Sequence, residues 1–183
     1  MTMAIHAPQT TPKQGMRRVN PAMGWLLLKY PLDMKIHIGI DPGMSGGIAF
    51  IPDNNPAKAW AVKMPETLAD LWDCVYQQDG ILTSDLTGIH ACLEKVHSMP
   101  GQGVASSFKF GQGFGHLEMA LTAARIPFTY VTPQKWQKEL QCLTKGDKNV
   151  SKARAQQLFP HLKCTHAISD CLLIAEYCRR TNP

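Results

Sequence analysis

Between residues 35 and 63 three short apolar segments follow one another, separated by turn residues. Lys35-Ile36-His37-Ile38-Gly39-Ile40-Asp41 and Gly46-Gly47-Ile48-Ala49-Phe50-Ile51 read as the arms of a hairpin, 35–41 and 46–51, and residues 57–63 (Ala-Lys-Ala-Trp-Ala-Val-Lys) alternate as a third strand. A period of two puts one set of side chains on one face of a sheet. The spacing then changes. Thr67 begins a helix that carries Leu68, Leu71 and Val75 on one face. Residues 88–96 form a buried strand with Glu94 near its end, and Ser98-Met99-Pro100-Gly101-Gln102-Gly103 reads as a flexible stretch. Residues 105–125 read as a long helix despite Gly111, Gly113 and Gly115, and 127–131 as a short strand. Pro133 opens the next helix at its favoured first turn, with Thr132 as cap. Helices over 149–158 and 166–180 complete the chain. The order β-β-β-α-β-α-β-α-α-α predicts an α/β fold, a mixed central sheet flanked by helices on both faces.

Residues 1–33 lack such a period. They hold Pro8, Pro12, Pro21 and Pro31 and a single acid, Asp33. The expected division is a disordered N-terminal extension, 1–33, and one domain, 34–183; a basic targeting peptide for organelle import is the weaker reading, since serine is absent there. No apolar run reaches the ~18 residues that a membrane span needs. Six cysteines are scattered without a CxxC pair, several inside apolar patterns. They read as reduced core cysteines of a cytoplasmic protein.

Charge is uneven. Residues 1–130 carry 10 basic and 10 acidic side chains, whereas residues 131–183 carry 9 basic and 4 acidic ones, so the whole net charge of +5 lies in the last third. A polyanion is one partner that fits such clustering; a solvated helical surface is the plain alternative.

Three acids stand at the ends of elements. Asp41 ends the first strand and is followed by Pro42-Gly43, Glu94 ends a later strand, and Asp170 enters the last helix just before the apolar run Cys171-Leu172-Leu173-Ile174-Ala175. Singly, each has an ordinary explanation: a turn cap, a pair with Lys95 or Lys109, a favourable place on a helix dipole. Together, in one small domain, they fit a divalent-cation site, because burying a carboxylate is costly unless a cation or donors compensate it. His166 precedes Asp170 by four residues, which puts both on one helix face. It is a further candidate ligand or proton carrier.

Ile38-Gly39-Ile40-Asp41-Pro42-Gly43, Leu93-Glu94-Lys95-Val96, Phe110-Gly111-Gln112-Gly113-Phe114-Gly115 and His166-Ala167-Ile168-Ser169-Asp170-Cys171-Leu172-Leu173-Ile174-Ala175 resemble, in order along the chain, the RuvC family of Holliday-junction resolvases, with the phage-type and plant organelle branches nearest. The resemblance implies an RNase H-like fold, a homodimer, and metal-dependent incision of four-way DNA junctions with paired symmetrical nicks. By position, Asp41, Glu94 and Asp170 would hold a pair of Mg²⁺ ions, with Mn²⁺ as the substitute. His166 stands nearest to a fourth acid that the family usually places shortly before the last one. Imidazole suits a softer ion. Lys152 aligns with a basic family position beside the scissile phosphate, Lys148 being the alternative. His97 stands where bacterial members tend to carry an aromatic that opens the junction centre; either it stacks on a base or another residue such as Phe114 does.

For DNA contact the candidates are His97, Ser106, Ser107, Lys109, Phe114, Lys135, Lys138, Lys145 and Lys148, with Trp136 and Phe110 read as core. Phosphate contacts from such residues give affinity without sequence information. The competing functions are a junction-binding protein without cleavage, an RNase H-like nuclease on other branched or hybrid substrates, an actin-like or sugar-kinase ATPase, for which one domain is too little, and a pure interaction module.

Overall fold

The computed structural model describes residues 35–76, 88–97, 101, 103–143 and 146–182. The expected extension over 1–33, Lys145 and most of the stretch 98–103 lie outside the described residues. Strands β1 (Ile36–Asp41) and β2 (Gly47–Pro52) pair antiparallel in the register Asp41↔Gly47 to Ile36↔Pro52. The turn between them is closed by Gly46 N–H donating to the Gly43 carbonyl, 3.1 Å, with Gly43 at φ +117°. Only glycine takes that angle readily. β3 (Trp60–Lys63) pairs antiparallel with β2, after a short 3₁₀ turn over Pro56–Lys58. β4 (Ile89–Glu94) runs parallel to β1, and β5 (Phe128–Val131) parallel to β4. The sheet order is β3-β2-β1-β4-β5.

Helices cover both faces, as the element order predicts. On one face α1 (Leu68–Tyr76) and α2 (Val104–Ala123) bury Leu71, Val75, Leu117 and Leu121 against Ile36, Ile38, Ile40, Ile48, Phe50 and Leu93. α1 is capped as its sequence predicts: Thr67 Oγ accepts from Asp70 N–H and donates to the Asp70 carboxylate. On the other face lies α5 (His166–Thr181), buried continuously from Cys171 to Cys178, with α3 (Pro133–Glu139) and α4 (Lys148–Leu158) packed around it. Trp136, Leu140 and Phe159 fill this second core. Five of the six cysteines are buried. Thr132 occupies the cap position of α3, but its side chain makes no capping bond; Asp147 caps α4 instead, accepting from Asn149 N–H at 2.9 Å.

The tightest contact in the fold is backbone on backbone. A Cβ placed on Gly39 would lie 2.1 Å from Ala175 N and 2.2 Å from Cys171 O; one on Gly47 would lie 2.4 Å from Val62 O and 3.0 Å from Ala167 O. Glycine at 39 lets α5 sit directly on β1. Gly39→Ala should therefore destabilise the protein by about 3 kcal/mol or more, as overpacking of a rigid site does, measured by denaturant unfolding. Gly113→Ala, where an added Cβ meets nothing within 4 Å, should instead stabilise by about 0.5–1 kcal/mol through helix propensity.

Candidate metal and nucleic-acid site

The sheet's alternation decides which residues face α5. Ile36, Ile38 and Ile40 point to α1 and α2, so His37, Gly39 and Asp41 point to α5. β4 pairs with β1 up to Ile40↔Leu93, so Asp41 and Glu94 leave neighbouring parallel strands at the same end. Asp170 enters from above, in the second turn of α5, directly before Cys171, whose carbonyl touches the space over Gly39. The three acids thus lie toward one rim of the sheet.

Their electrostatics are those of like charges withdrawn from water. Burial, then the charges of Glu94 and Asp170, push the Asp41 carboxyl up to about 8, with Lys148 pulling the other way. Burial pushes Glu94 up to about 6, against a hydrogen bond from Trp136 and with Asp170 adding to the rise. Between them the Cys171 thiol is held well above its usual range by burial and by the charges of Asp41 and Asp170. Asp170 Oδ1 is buried and finds no hydrogen-bond partner among the described residues. An unpaired buried carboxylate oxygen beside two acids whose carboxyls are pushed up is a costly arrangement that calls for compensation. The side chains are not drawn together: among the described residues no group of three His, Cys, Asp or Glu closes to metal-ligand spacing.

Trp136 belongs to this site, which the sequence reading missed. It is core, as expected, but its indole N–H donates to Glu94 Oε1 at 2.7 Å. The bond holds one oxygen of an 8 % exposed carboxylate and leaves the other toward the rim. The signal available was a tryptophan inside an otherwise polar helix, since a buried indole needs an acceptor.

The remaining candidates fall as follows. Lys148 opens α4, and its charge reaches Asp41; Lys152, one turn on, acts on Cys164. His166 is exposed at the first turn of α5. His97 is exposed just past β4. Ser106, Ser107 and Lys109 lie in the first turns of α2, and Ser106 and Lys109 line a groove of about 370 Å³ that also takes in Gly43, Met64 and Phe110. Phe110 is half-buried beside Gly43 rather than in the core as expected. Phe114 stacks on Tyr130 with ring centroids 6.2 Å apart and packs against the α1/α2 core, whereas Phe108 is 71 % exposed. Lys138 is exposed on α3, and Lys135 stands 6.0 Å over the Tyr177 ring.

A mixed five-stranded sheet in this order, with helices on both faces, is the RNase H-like fold, and in particular the fold of RuvC. The structure of Thermus thermophilus RuvC in complex with Holliday junction substrate superposes with a TM-score of 0.54 at 14% identity, over 81% of this chain and 96% of that one. A second T. thermophilus RuvC structure gives 0.50 at 15% identity, over 76% and 90%. No protein-family model matches the sequence, and no curated protein matches it.

The raised carboxyls set a pH dependence. In the unfolded chain Asp41 ionises near its ordinary value of 3.8, and in the fold only near 8, so the folded state holds the extra proton between these limits. Stability from this group is full below the lower value and is lost as pH rises through the higher one. Without divalent ions, Asp41→Asn should be more stable than the native chain at pH 8.5 by about 2 kcal/mol or more, and the gap should close toward pH 4. Thermal unfolding in chelator across that range measures it.

Proposed function

We propose that this protein is a structure-specific endonuclease that resolves four-way DNA junctions by metal-dependent phosphodiester hydrolysis. The observation that carries the reading is the meeting of Asp41, Glu94 and Asp170, from β1, β4 and α5, at one rim of a RuvC-like fold. Divalent ions held there, with Asp41 shared between Glu94 and Asp170, would supply Lewis acidity at the scissile phosphate and a water acidic enough to attack it. Mg²⁺ suits the carboxylates and Mn²⁺ also accommodates His166. The chain's own residues do the rest. Asp41 and Glu94 must release their protons to bind a cation, so activity should climb with pH between about 6 and 8. Trp136 keeps Glu94 in one orientation. His166, at the solvent edge, orients the attacking water or ligates. Lys148, whose charge reaches Asp41, steadies the charge that builds on the phosphate, with Lys152 one turn behind.

The groove bearing Ser106 and Lys109 and the lysines of α3 and α4 supply a track for phosphates. A homodimer also has a face available. Val104, Phe108, Gly111, Gly115 and Met119 fall on one side of α2; Val104 and Met119 are 88 % and 60 % exposed, and an added Cβ at either glycine meets nothing within 4 Å. Such a stripe lets two helices approach closely. Phe108→Lys should leave the chain monomeric at micromolar concentration in analytical ultracentrifugation while the native chain is a dimer.

The full chain incubated with a synthetic mobile four-way junction and Mg²⁺ or Mn²⁺ should give paired symmetrical nicks. Asp41→Asn should keep junction binding and cut at least about 100-fold more slowly, since loss of even an outer partner of a metal ligand costs 10–100-fold. Binding should weaken steeply with salt. Undiminished cutting by Asp41→Asn defeats the assignment. Binding with no nicks under either ion supports the second reading, a junction-binding protein, which fits the finding that no three potential ligands close to metal-holding spacing among the described residues.

A further inference from the structure

The groove between α1 and α2 has an interior that phosphate contacts do not explain. It opens at the end of the sheet that carries the acids. Gly43 and Met44, in the turn that follows Asp41, form one wall, and Phe110 of α2 stands against Gly43, its ring edge 3.5 Å from where a Cβ would lie. Asp41 points to α5 and the groove lies on the opposite face, so the β1–β2 turn divides the two. The volume is about 370 Å³, within the range of pockets that hold a small organic ligand.

Most of the lining is apolar. Met64, Leu68, Leu71, Phe110 and Leu117 form it, with Met44 96 % exposed and Leu68 60 % exposed at its edge. Exposed apolar side chains gathered at a groove and rimmed by polar ones mark a binding surface. Gly113 adds no side chain on the α2 wall, where a Cβ would meet nothing within 4 Å. The polar groups are few: Glu66, Ser106, Lys109 and His116, with Thr67 committed to Asp70.

This mixture sets the ligand's class. A flat aromatic ring with a polar edge meets both halves of the lining. Its faces take the phenyl ring and the thioethers, and its edge takes hydroxyl, imidazole or carboxylate. A bare phosphate uses Ser106 and Lys109 and leaves the apolar floor uncovered. An aliphatic chain uses the floor and leaves the polar groups without a role. DNA carries such a ring beside each phosphate, and a base that is already unpaired is the least costly to unstack.

We propose that the α1/α2 groove receives one unpaired base of the junction, from a nucleotide adjoining the cut. Phe110 is its stacking face, Glu66, Ser106 and His116 surround its edge, and Lys109 meets its phosphate. The inference rests on the junction-endonuclease reading above and adds to it a contact with a base, where the lysines of α3 and α4 touch only phosphates.

The test is a binding cycle on the full chain carrying Asp41→Asn, with junctions that differ only by an abasic nucleotide at one position next to the branch point. At one such position loss of the base should weaken binding about 10-fold, the scale of base–aromatic stacking. Phe110→Ala, added to the same protein, should weaken binding to the intact junction about equally and should be indifferent to the abasic one. Gly113→Leu fills the groove from a site where an added Cβ enters open space, so it keeps the test decisive if the Phe110 variant misfolds; it should behave as Phe110→Ala does. Lys138→Ala should lose the same affinity on both junctions, as a phosphate contact does. Additive losses from the abasic site and Phe110→Ala at every position would overturn the groove and leave the proposed function standing. Failure of the Asp41→Asn chain to bind any four-way junction would remove both. A Phe110-dependent rise in Tm with millimolar adenosine or thymidine monophosphate, together with additive junction losses, would assign the groove to a free nucleotide and overturn the proposal.

Discussion

Helix α5 lies on β1 and β2 with no side chain between them at Gly39 and Gly47. The Cβ positions there are already occupied by the helix backbone, at 2.1 Å and 3.0 Å. This contact sets the height of the helix above the sheet. Asp170 precedes Cys171, the residue whose carbonyl fills the space over Gly39, so the depth of that notch determines how near Asp170 comes to Asp41. A helix resting on ordinary side chains would stand farther from the sheet, at the distance set by packed side chains, and the acid would be lifted away from the strand ends.

The arrangement works against stability in one place. Three carboxylates share a rim poor in water, and two of them keep their protons well above the usual range because of burial and of one another. The Trp136 indole donates to one of them, Glu94. A domain with a well-filled core on both sides of its sheet tolerates such a local cost, and sites that break a local rule in this way are where function is concentrated. The bound cation in our proposal removes the repulsion, which is why cation binding, protonation and local stability are one equilibrium at this rim.

One geometric rule organises the whole face. Alternation along β1 and β4 puts His37, Gly39 and Asp41 beside His90, Cys92 and Glu94, all toward α5. The face therefore holds imidazoles at the strand starts, the close helix contact in the middle, and carboxylates at the strand ends.

Most of the fold was legible in the sequence. Apolar periods of two and 3.6, with Pro and Gly as punctuation, located the described strands and helices to within about two residues, since local periodicity reflects which side is buried; the exception is the third strand, read from 57 but starting at Trp60 because Pro56–Lys58 form a 3₁₀ turn. The three acids were legible as element-end carboxylates next to apolar runs. Phe110 was misread as core, and the Trp136–Glu94 bond and the register pairing of His37 with His90 were not read. Phe110 follows the same periodic pattern as a core residue, yet the glycines around it leave that side of α2 open. Trp136 reads as core because nothing local reveals that its acceptor is 42 positions away. His37 and His90 lie on different strands, and their pairing exists only through the register of β1 on β4. Sequence alone thus determined the elements and the chemical types available, which are properties of neighbouring residues. Tertiary structure alone decided which of those groups meet, because strand register and the seating of α5 on Gly39 join residues that chain proximity never brings together.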